Sequence, residues 1–159
     1  MVAGRGMEAT AMRETFTNTL RSALAAAQAA ARAHNQDFVG TEHLMLGLLG
    51  GDGEAVRTLR AAHAEAPRLR SSLDAGLPRG AEPPVVTGDL PLSPKAQRVI
   101  NGALVKAQSL REPRVSTRLL LMSLLDDVPP AVRAALDAGG VDTETLAAKL
   151  AERPVAAEA

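Results

Sequence analysis

The feature that most constrains this chain is an internal repeat. When the 159-residue sequence is shifted by 76 positions, its two halves fall into register. The matched apolar residues recur every three or four positions, which is the spacing of one helix face. Because each copy must then fold as the same unit, a repeat of this length sets the architecture. The matched pairs include Val39 and Val115, Thr41 and Thr117, Leu44 and Leu120, and Ala55-Val56-Arg57 and Ala131-Val132-Arg133.

Each copy divides into four helical segments, so the sequence predicts an all-α fold of about eight helices with pseudo-two-fold symmetry. The first helix of each copy starts after Thr17 or Ser93, whose hydroxyl suits an N-cap. The second starts at Thr41 or Thr117 and is apolar on most sides, which predicts the buried centre of the copy. The first copy should have its other helices near 18–34, 54–63 and 67–74, and the second copy near 131–137 and 143–151.

Prolines and glycines separate the two copies. Residues 76–91 contain four prolines and three glycines, which predicts a linker without regular structure. Two copies of about 60 residues would each be marginal alone, so we expect them to pack as one domain. The predicted divisions are a flexible extension at 1–15, a first repeat at 16–75, the linker at 76–91, a second repeat at 92–151 and a tail at 152–159.

Composition argues against several classes of function. Lys+Arg and Asp+Glu balance at 18 each, which disfavours a nucleic-acid groove or a polybasic membrane anchor. The two phenylalanines are too few for a platform that stacks single-stranded bases. Cysteine is absent, and no apolar run approaches the roughly 18 residues of a membrane span. We therefore expect a cytoplasmic protein that needs no cofactor and contacts neither nucleic acid nor membrane.

The polar motifs do not predict catalysis or a metal centre. The three histidines lack the H-E-x-x-H spacing, no G-x-S-x-G motif is present, and the glycine-rich stretch at 50–56 lacks the lysine of a phosphate loop. A small helical enzyme or metal protein stays as an alternative, which turnover or a bound metal would support. A DNA-binding helical regulator is a second alternative, which would require salt-dependent duplex binding.

Two helix starts are the best candidates for ligand contact. Helix capping accounts for most of the residues at these two starts. A threonine hydroxyl at Thr17 or Thr41 satisfies a free N–H, and an acid such as Glu42 complements the helix dipole. The same helix starts could also attract an anion, while Glu42 attracts a guanidinium. The repeat places Arg118 at the position equivalent to Glu42. Folding alone therefore does not demand an acid at this position, and Glu42 becomes the strongest single candidate.

The residues then become recognisable. Phe-Thr at 16–17, VGTEHLMLGLL about 20 residues later, and the repetition of the whole pattern resemble the N-terminal domain of Clp chaperones of the ClpC type. The resemblance covers about 16–150 and implies a pseudo-two-fold bundle of eight helices. It also implies a non-catalytic role in protein quality control, with adaptors, tagged substrates and Clp ATPase or protease components as partners. No ATPase segment follows in this sequence, so the chain is either an excised domain or a free-standing copy. The degenerate second repeat and the N-terminal extension favour a free-standing copy, which would serve as an adaptor, an accessory subunit or a decoy.

The same resemblance implies a phosphoarginine pocket in each repeat. Thr17 and Glu42 hold the motif positions of the first pocket, with Thr41 beside them, and Ser93 and Arg118 hold those of the second. Serine is a fair substitute for threonine, whereas an arginine in place of the glutamate would repel a guanidinium. The expectation is therefore one phosphoarginine site, in the first repeat.

Overall fold

The fold is all-α, as the sequence predicts. The computed structural model describes residues 15–154 and 156–159, so the extension predicted at 1–15 lies outside them except for its last residue. The described residues contain eight α-helices: α1 (Asn18–Ala33), α2 (Thr41–Leu49), α3 (Glu54–Ala61), α4 (Ala66–Gly76), α5 (Pro94–Ser109), α6 (Thr117–Asp126), α7 (Pro130–Ala138) and α8 (Thr143–Ala151).

The starts of α1 and α5 follow the predicted caps, whereas α2 has Gly40 at its N-cap and the predicted Thr41 hydroxyl cap does not form. The Thr17 hydroxyl accepts a hydrogen bond from the Leu20 N–H at 3.0 Å, and the Ser93 hydroxyl accepts one from the Ala96 N–H at 3.1 Å. Because the repeat carries this capped start twice, the long helices α1 and α5 begin at equivalent positions. Two helix ends differ from prediction. Helix α3 ends at Ala61 rather than near His63, since His63 has φ of 61° and turns the chain, and α4 ends at Gly76 rather than near Asp74.

Helices α2 and α6 form the centre of the molecule. Every residue of α2 is buried except Glu42, and Leu119, Leu120 and Leu121 of α6 are at most 1% exposed. The two helices also contact each other, which joins both copies into one core. Burying a leucine side chain stabilises a fold by roughly 1.5–3 kcal/mol, so each buried leucine of these two helices adds substantially to the stability of the core.

Each copy needs a small residue where its first two helices cross, but the two copies place it on opposite helices. A Cβ on Gly47 of α2 would overlap the Ala23 carbonyl oxygen of α1 and lie 3.0 Å from the Ala27 nitrogen. The equivalent residue in α6 is Ser123, which faces Gly102 of α5 and donates a hydrogen bond to the Val99 carbonyl oxygen at 2.6 Å. Both arrangements let the helix backbones approach closely.

Two backbone bridges cross between the copies and set the geometry of the candidate sites. Phe16 forms a parallel bridge with Val115, and Val39 forms the equivalent bridge with Leu92. The segment before each long helix therefore lies beside the start of the central helix of the other copy. The linker runs along α1, where the Gln28 side chain bonds both the N–H and the carbonyl of Leu90.

Candidate functional site

The bridges pair the predicted site residues differently from the sequence motif. The Thr17 N–H donates to the Val115 carbonyl oxygen at 3.0 Å, which brings Thr17 to the start of α6. The Ser93 N–H donates to the Val39 carbonyl oxygen at 2.9 Å, which brings Ser93 toward the start of α2. No hydrogen bond among the described residues joins Thr17 to Glu42. Each of the two sites therefore combines a helix start from one copy with a helix start from the other.

The first site is an open cleft beside Glu42, which we call the Glu42 cleft. Its volume is about 290 Å³, and it lies between the starts of α2, α5 and α7. Glu42 is partly exposed, and Lys95 and Arg98 of α5 line the same space. Within the described part of the chain, none of these three side chains forms an ion pair or a hydrogen bond. Other lining residues include Thr41, Ser123, Asp127 and Pro130.

The charges in this cleft have opposite signs. A carboxylate on α2 can bind a guanidinium or an ammonium group, and the two cations on α5 can bind an anion. The N–H groups at the start of α2 add positive potential near Thr41. The arrangement is thus suited to a ligand that carries an anionic group next to a cationic one.

His43 holds the start of α2 in place. Its Nδ1 accepts a hydrogen bond from the Gly40 N–H at 2.8 Å, as the third helical residue does in a capping box, and Gly40 itself has no side chain with which to cap the helix. Burial lowers the pKa of His43 below its ordinary value of 6.5, the nearby His34 lowers it further, and Glu42 opposes them. The neutral ring is therefore favoured, and His43 is a capping residue.

His34 serves structure as well. The buried His34 bonds through Nε2 to Asp74 Oδ1 at 2.6 Å, and this hydrogen bond lowers the pKa of Asp74. Among the described residues no three His, Cys, Asp or Glu side chains converge as metal ligands. In the same part of the chain, no helix combines the length and apolarity that crossing a bilayer requires.

At the equivalent position in the second repeat, Arg118 turns into the interior. Its side chain is 2% exposed and pairs with Glu54 of α3, with Nε 3.3 Å from Oε1. It also pairs with Glu112 and donates from Nη1 to the Leu150 carbonyl oxygen at 2.6 Å. All of its charge is satisfied inside the protein, so Arg118 does not present a cation to an external ligand.

The pocket next to Arg118 is filled by the chain's own Glu158. Each oxygen of its carboxylate receives two hydrogen bonds. Oε2 accepts from the Thr17 hydroxyl at 2.5 Å and from the Thr117 N–H at 2.9 Å. Oε1 accepts from the Glu54 N–H at 2.9 Å and from the Thr117 hydroxyl. We call this pocket, formed by Thr17, Gly53, Glu54 and Thr117, the Glu158 cradle.

Sequence reasoning singled out Thr17, Thr41, Glu42, Ser93 and Arg118, but it missed three kinds of residue. Lys95 and Arg98 follow Ser93 within about one helical turn, and they could have been found had the crossed pairing been known. Glu54 is the acid in the first turn of α3. Nothing in the sequence marked Glu158, because it lies in the short tail outside the repeat.

The comparisons with known sequences agree with this architecture. Residues 15–138 match the family described as the Clp repeat (R) N-terminal domain. The ClpA homolog of Porphyra purpurea, an ATP-dependent Clp protease ATP-binding subunit, is 30% identical over 140 residues, covering 87% of this chain and 17% of that protein. The chloroplastic chaperone protein ClpC1 of Oryza sativa subsp. japonica is 30% identical over 137 residues, covering 86% of this chain and 15% of that protein. The chain thus spans a small part of these relatives' length.

Solved structures share the fold. The N-terminal domain of Hsp104 from Candida albicans has a TM-score of 0.72 at 17% identity, covering 87% of this chain and 91% of that one. The N-terminal domain of the chaperone ClpD from Arabidopsis thaliana has a TM-score of 0.68 at 19% identity, covering 86% and 92%. The ClpV N-domain in complex with a VipB peptide has a TM-score of 0.63 at 16% identity, covering 91% and 93%.

Proposed function

This chain belongs to the family of Clp repeat N-terminal domains, and from that premise we propose that it is a non-catalytic protein-binding module of a Clp quality-control system. Its ligands would be substrates or adaptors that are handed to Clp ATPase or protease components. The complex of the ClpV N-domain with a VipB peptide supports this role, since that domain of the same fold binds a peptide. The proposal places the protein in the cytoplasm and assigns it no catalysis.

We further propose that the ligand contact is the Glu42 cleft and that its ligand class is phosphoarginine. The observation that carries the proposal is the Glu42 carboxylate, which has no ion-pair partner among the described residues and faces the same space as Lys95 and Arg98. A phosphoarginine side chain joins a guanidinium directly to a phosphoryl group, so it offers a cation to Glu42 and an anion to the two basic residues. This is the polarity that the cleft provides.

The crossed pairing alters which residues we assign to the ligand. Glu42 keeps its proposed role in binding the guanidinium, and Thr41 keeps its place at the anion-binding start of α2. Thr17 is assigned to the other pocket, where its hydroxyl is already bonded to Glu158. In the Glu42 cleft, Thr17 is replaced by the start of α5, which Ser93 caps. The Ser93 N–H is bonded to the Val39 carbonyl oxygen, and Lys95 lines the cleft.

Affinity capture tests the proposed function. The full chain, immobilised and exposed to a native cell extract, should retain Clp ATPase subunits or arginine-phosphorylated proteins, and the captured proteins are identified by mass spectrometry. Glu42→Ala should lose the arginine-phosphorylated fraction. Glu144→Ala is the matched control, because Thr143-Glu144 opens α8 as Thr41-Glu42 opens α2, and Glu144 is exposed. Equal capture by the native chain and Glu42→Ala would overturn the assignment of the cleft.

A further inference from the structure

The Glu158 cradle has the composition of a binding site for a carboxylate. It joins the N-terminus of α3, which has eight residues, to the N-terminus of α6, which has ten. Free N–H groups of both helices point at one anion, and helix N-termini favour negative charge. The two threonine hydroxyls that complete the cradle belong to Thr17 and Thr117, and each residue is only 3% exposed.

Both hydroxyls are oriented by further hydrogen bonds. The Thr17 hydroxyl accepts from the Leu20 N–H at 3.0 Å, and the Thr117 hydroxyl accepts from the Ala55 N–H at 3.1 Å. With their lone pairs engaged in this way, the hydroxyls are left to donate toward the carboxylate. The cradle is therefore preorganised for an acceptor, which lowers the cost of binding one.

The cradle also recognises main chain next to the glutamate. The Glu158 N–H donates to Glu54 Oε2 at 2.7 Å. A main-chain oxygen of Ala159 accepts from both the N–H and the hydroxyl of Thr19, each at 3.0 Å. One acidic side chain and two residues of main chain are thus bound together, which is how short extended peptides are commonly recognised.

Gly53 gives the carboxylate its room. A Cβ at this position would overlap Glu158 Oε1 and the Thr117 hydroxyl oxygen. The backbone of Gly53 has φ of −90°, which any residue can adopt, so the requirement is for space rather than for an unusual conformation. The methyl group of an alanine here would occupy the position of the carboxylate.

The equivalent position in the other copy cannot form such a cradle. The repeat aligns Gly53-Glu54 with Pro129-Pro130. Proline has no N–H, so Pro130 cannot make the hydrogen bond that Glu54 donates to Glu158. The carboxylate site is therefore particular to one side of the molecule and is not a general consequence of the duplicated fold.

The segment that fills the cradle is held mainly at its end. Glu158 is 9% exposed, whereas Arg153, Ala156 and Ala157 are exposed. A segment bound through so few residues can leave while the helices stay folded. The negative charge of Glu54 does not prevent a carboxylate from binding nearby, because Arg118 pairs with it.

We propose that the Glu158 cradle is a second ligand site, specific for a glutamate within an extended acidic peptide of a partner protein, and that residues 156–159 occupy it in cis. The partner's glutamate would displace Glu158 and accept the same four hydrogen bonds. This site is separate from the Glu42 cleft and takes a ligand of different chemistry, a carboxylate with neighbouring main chain.

Fluorescence anisotropy with a labelled, amidated peptide of residues 153–159 tests the proposal on the full-length chain. The amide leaves the glutamate as the only carboxylate of the probe. The native chain competes for its own cradle at the high local concentration of a tethered segment. Glu158→Ala removes that competitor, so we expect it to bind the peptide at least about ten-fold more tightly than the native chain does.

Three further measurements decide the specificity. The same peptide carrying Glu158→Gln should bind the Glu158→Ala chain at least about ten-fold more weakly, because the amide cannot accept four hydrogen bonds. Adding Gly53→Ala to that chain should abolish binding. Adding Glu42→Ala should leave it unchanged, which separates this site from the proposed phosphoarginine site. Circular dichroism confirms that each variant is folded.

Two results would overturn the proposal. One is equal affinity of the peptide for the native chain and for a folded Glu158→Ala chain, since the cradle would then serve only to fasten its own tail. The other is equal binding of the Glu and Gln peptides. This comparison uses only the Glu158→Ala chain, so it can be made even if Gly53→Ala fails to fold.

Discussion

Positions 42 and 118 occupy the same place in the duplicated fold but differ in the sign of their charge, in burial and in ion pairing. Both are the second residue of a central helix, α2 or α6. Glu42 is partly exposed and forms no ion pair within the described residues, whereas Arg118 is 2% exposed and pairs with Glu54 and Glu112. The same position can therefore either face an open cleft or join the two copies through a buried ion pair.

The neighbours of these two residues explain the difference. The partners of Arg118 are Glu54 and Glu112, and the repeat aligns them with Pro130 and Gln36. Glu42 therefore has no charged residue at the positions equivalent to the partners of Arg118. Its carboxylate stays available in the cleft. The two copies thus hold equivalent positions, of which one is internal and the other lies in an open cleft.

Arg118→Met should give the largest effect, because it leaves Glu54 and Glu112 without their buried cation. Removing one member of a buried ion pair costs roughly 3–5 kcal/mol of unfolding free energy. Urea denaturation followed by circular dichroism measures it. Glu42→Ala at the equivalent position is the control and should change the stability by no more than about 0.5 kcal/mol. Similar losses of stability in both variants would contradict the distinction between a structural Arg118 and a Glu42 that the fold does not need.

Gly47→Ala should come next, since the added methyl group meets the backbone of α1. The Ala23 carbonyl oxygen and the Ala27 nitrogen cannot rotate away. Overpacking of this kind costs roughly 1–3 kcal/mol, which exceeds the helix propensity that alanine gains. Gly102→Ala is the matched change in the second copy and should cost less, because it meets the Ser123 hydroxyl at 2.5 Å and a side chain can turn. An equal or larger loss for Gly102→Ala, measured by thermal unfolding, would contradict this comparison.

The smallest expected effect is on the pH dependence of stability, and it follows from the difference between the caps of α2 and α6. The pKa of His43 is lowered in the folded protein, so below its ordinary value of 6.5 the unfolded chain binds the proton more readily. Stability should therefore fall as the pH drops below that value, until the folded-state pKa is reached. Ser116 caps α6 with a hydroxyl instead, and the residue equivalent to His43 is Leu119.

Exchanging one cap for the other isolates this effect. The double variant Gly40→Ser/His43→Leu copies the α6 start into α2. Its melting temperature should drop less than that of the native chain between about pH 7.5 and about pH 5.5. The same drop in both proteins would mean that His43 does not carry the pH dependence.

Much of the fold was predictable because it rests on local patterns. The 76-residue repeat, the caps at Thr17 and Ser93 and the apolar runs of α2 and α6 all follow from spacing and side-chain chemistry, and the structure confirms them. Helix α3 ends two residues before its predicted end, since no local sequence signal indicates the left-handed conformation of His63.

The candidate site was less predictable because its parts come together only in three dimensions. Glu42 stood out through its contrast with Arg118. The joining of Thr17 to the start of α6 depends on the bridge between Phe16 and Val115, which spans the two copies. Glu158 lies 141 residues from Thr17 along the chain, and no periodic pattern connects a short tail to a helix start.

Isothermal titration of phosphoarginine into the native chain tests the central claim most directly, namely that only one of the two equivalent sites is open. The account predicts a single site, with a stoichiometry of about one per chain, that Glu42→Ala abolishes and the control Glu144→Ala preserves. Two equal sites per chain, or binding that Glu42→Ala leaves untouched, would contradict it.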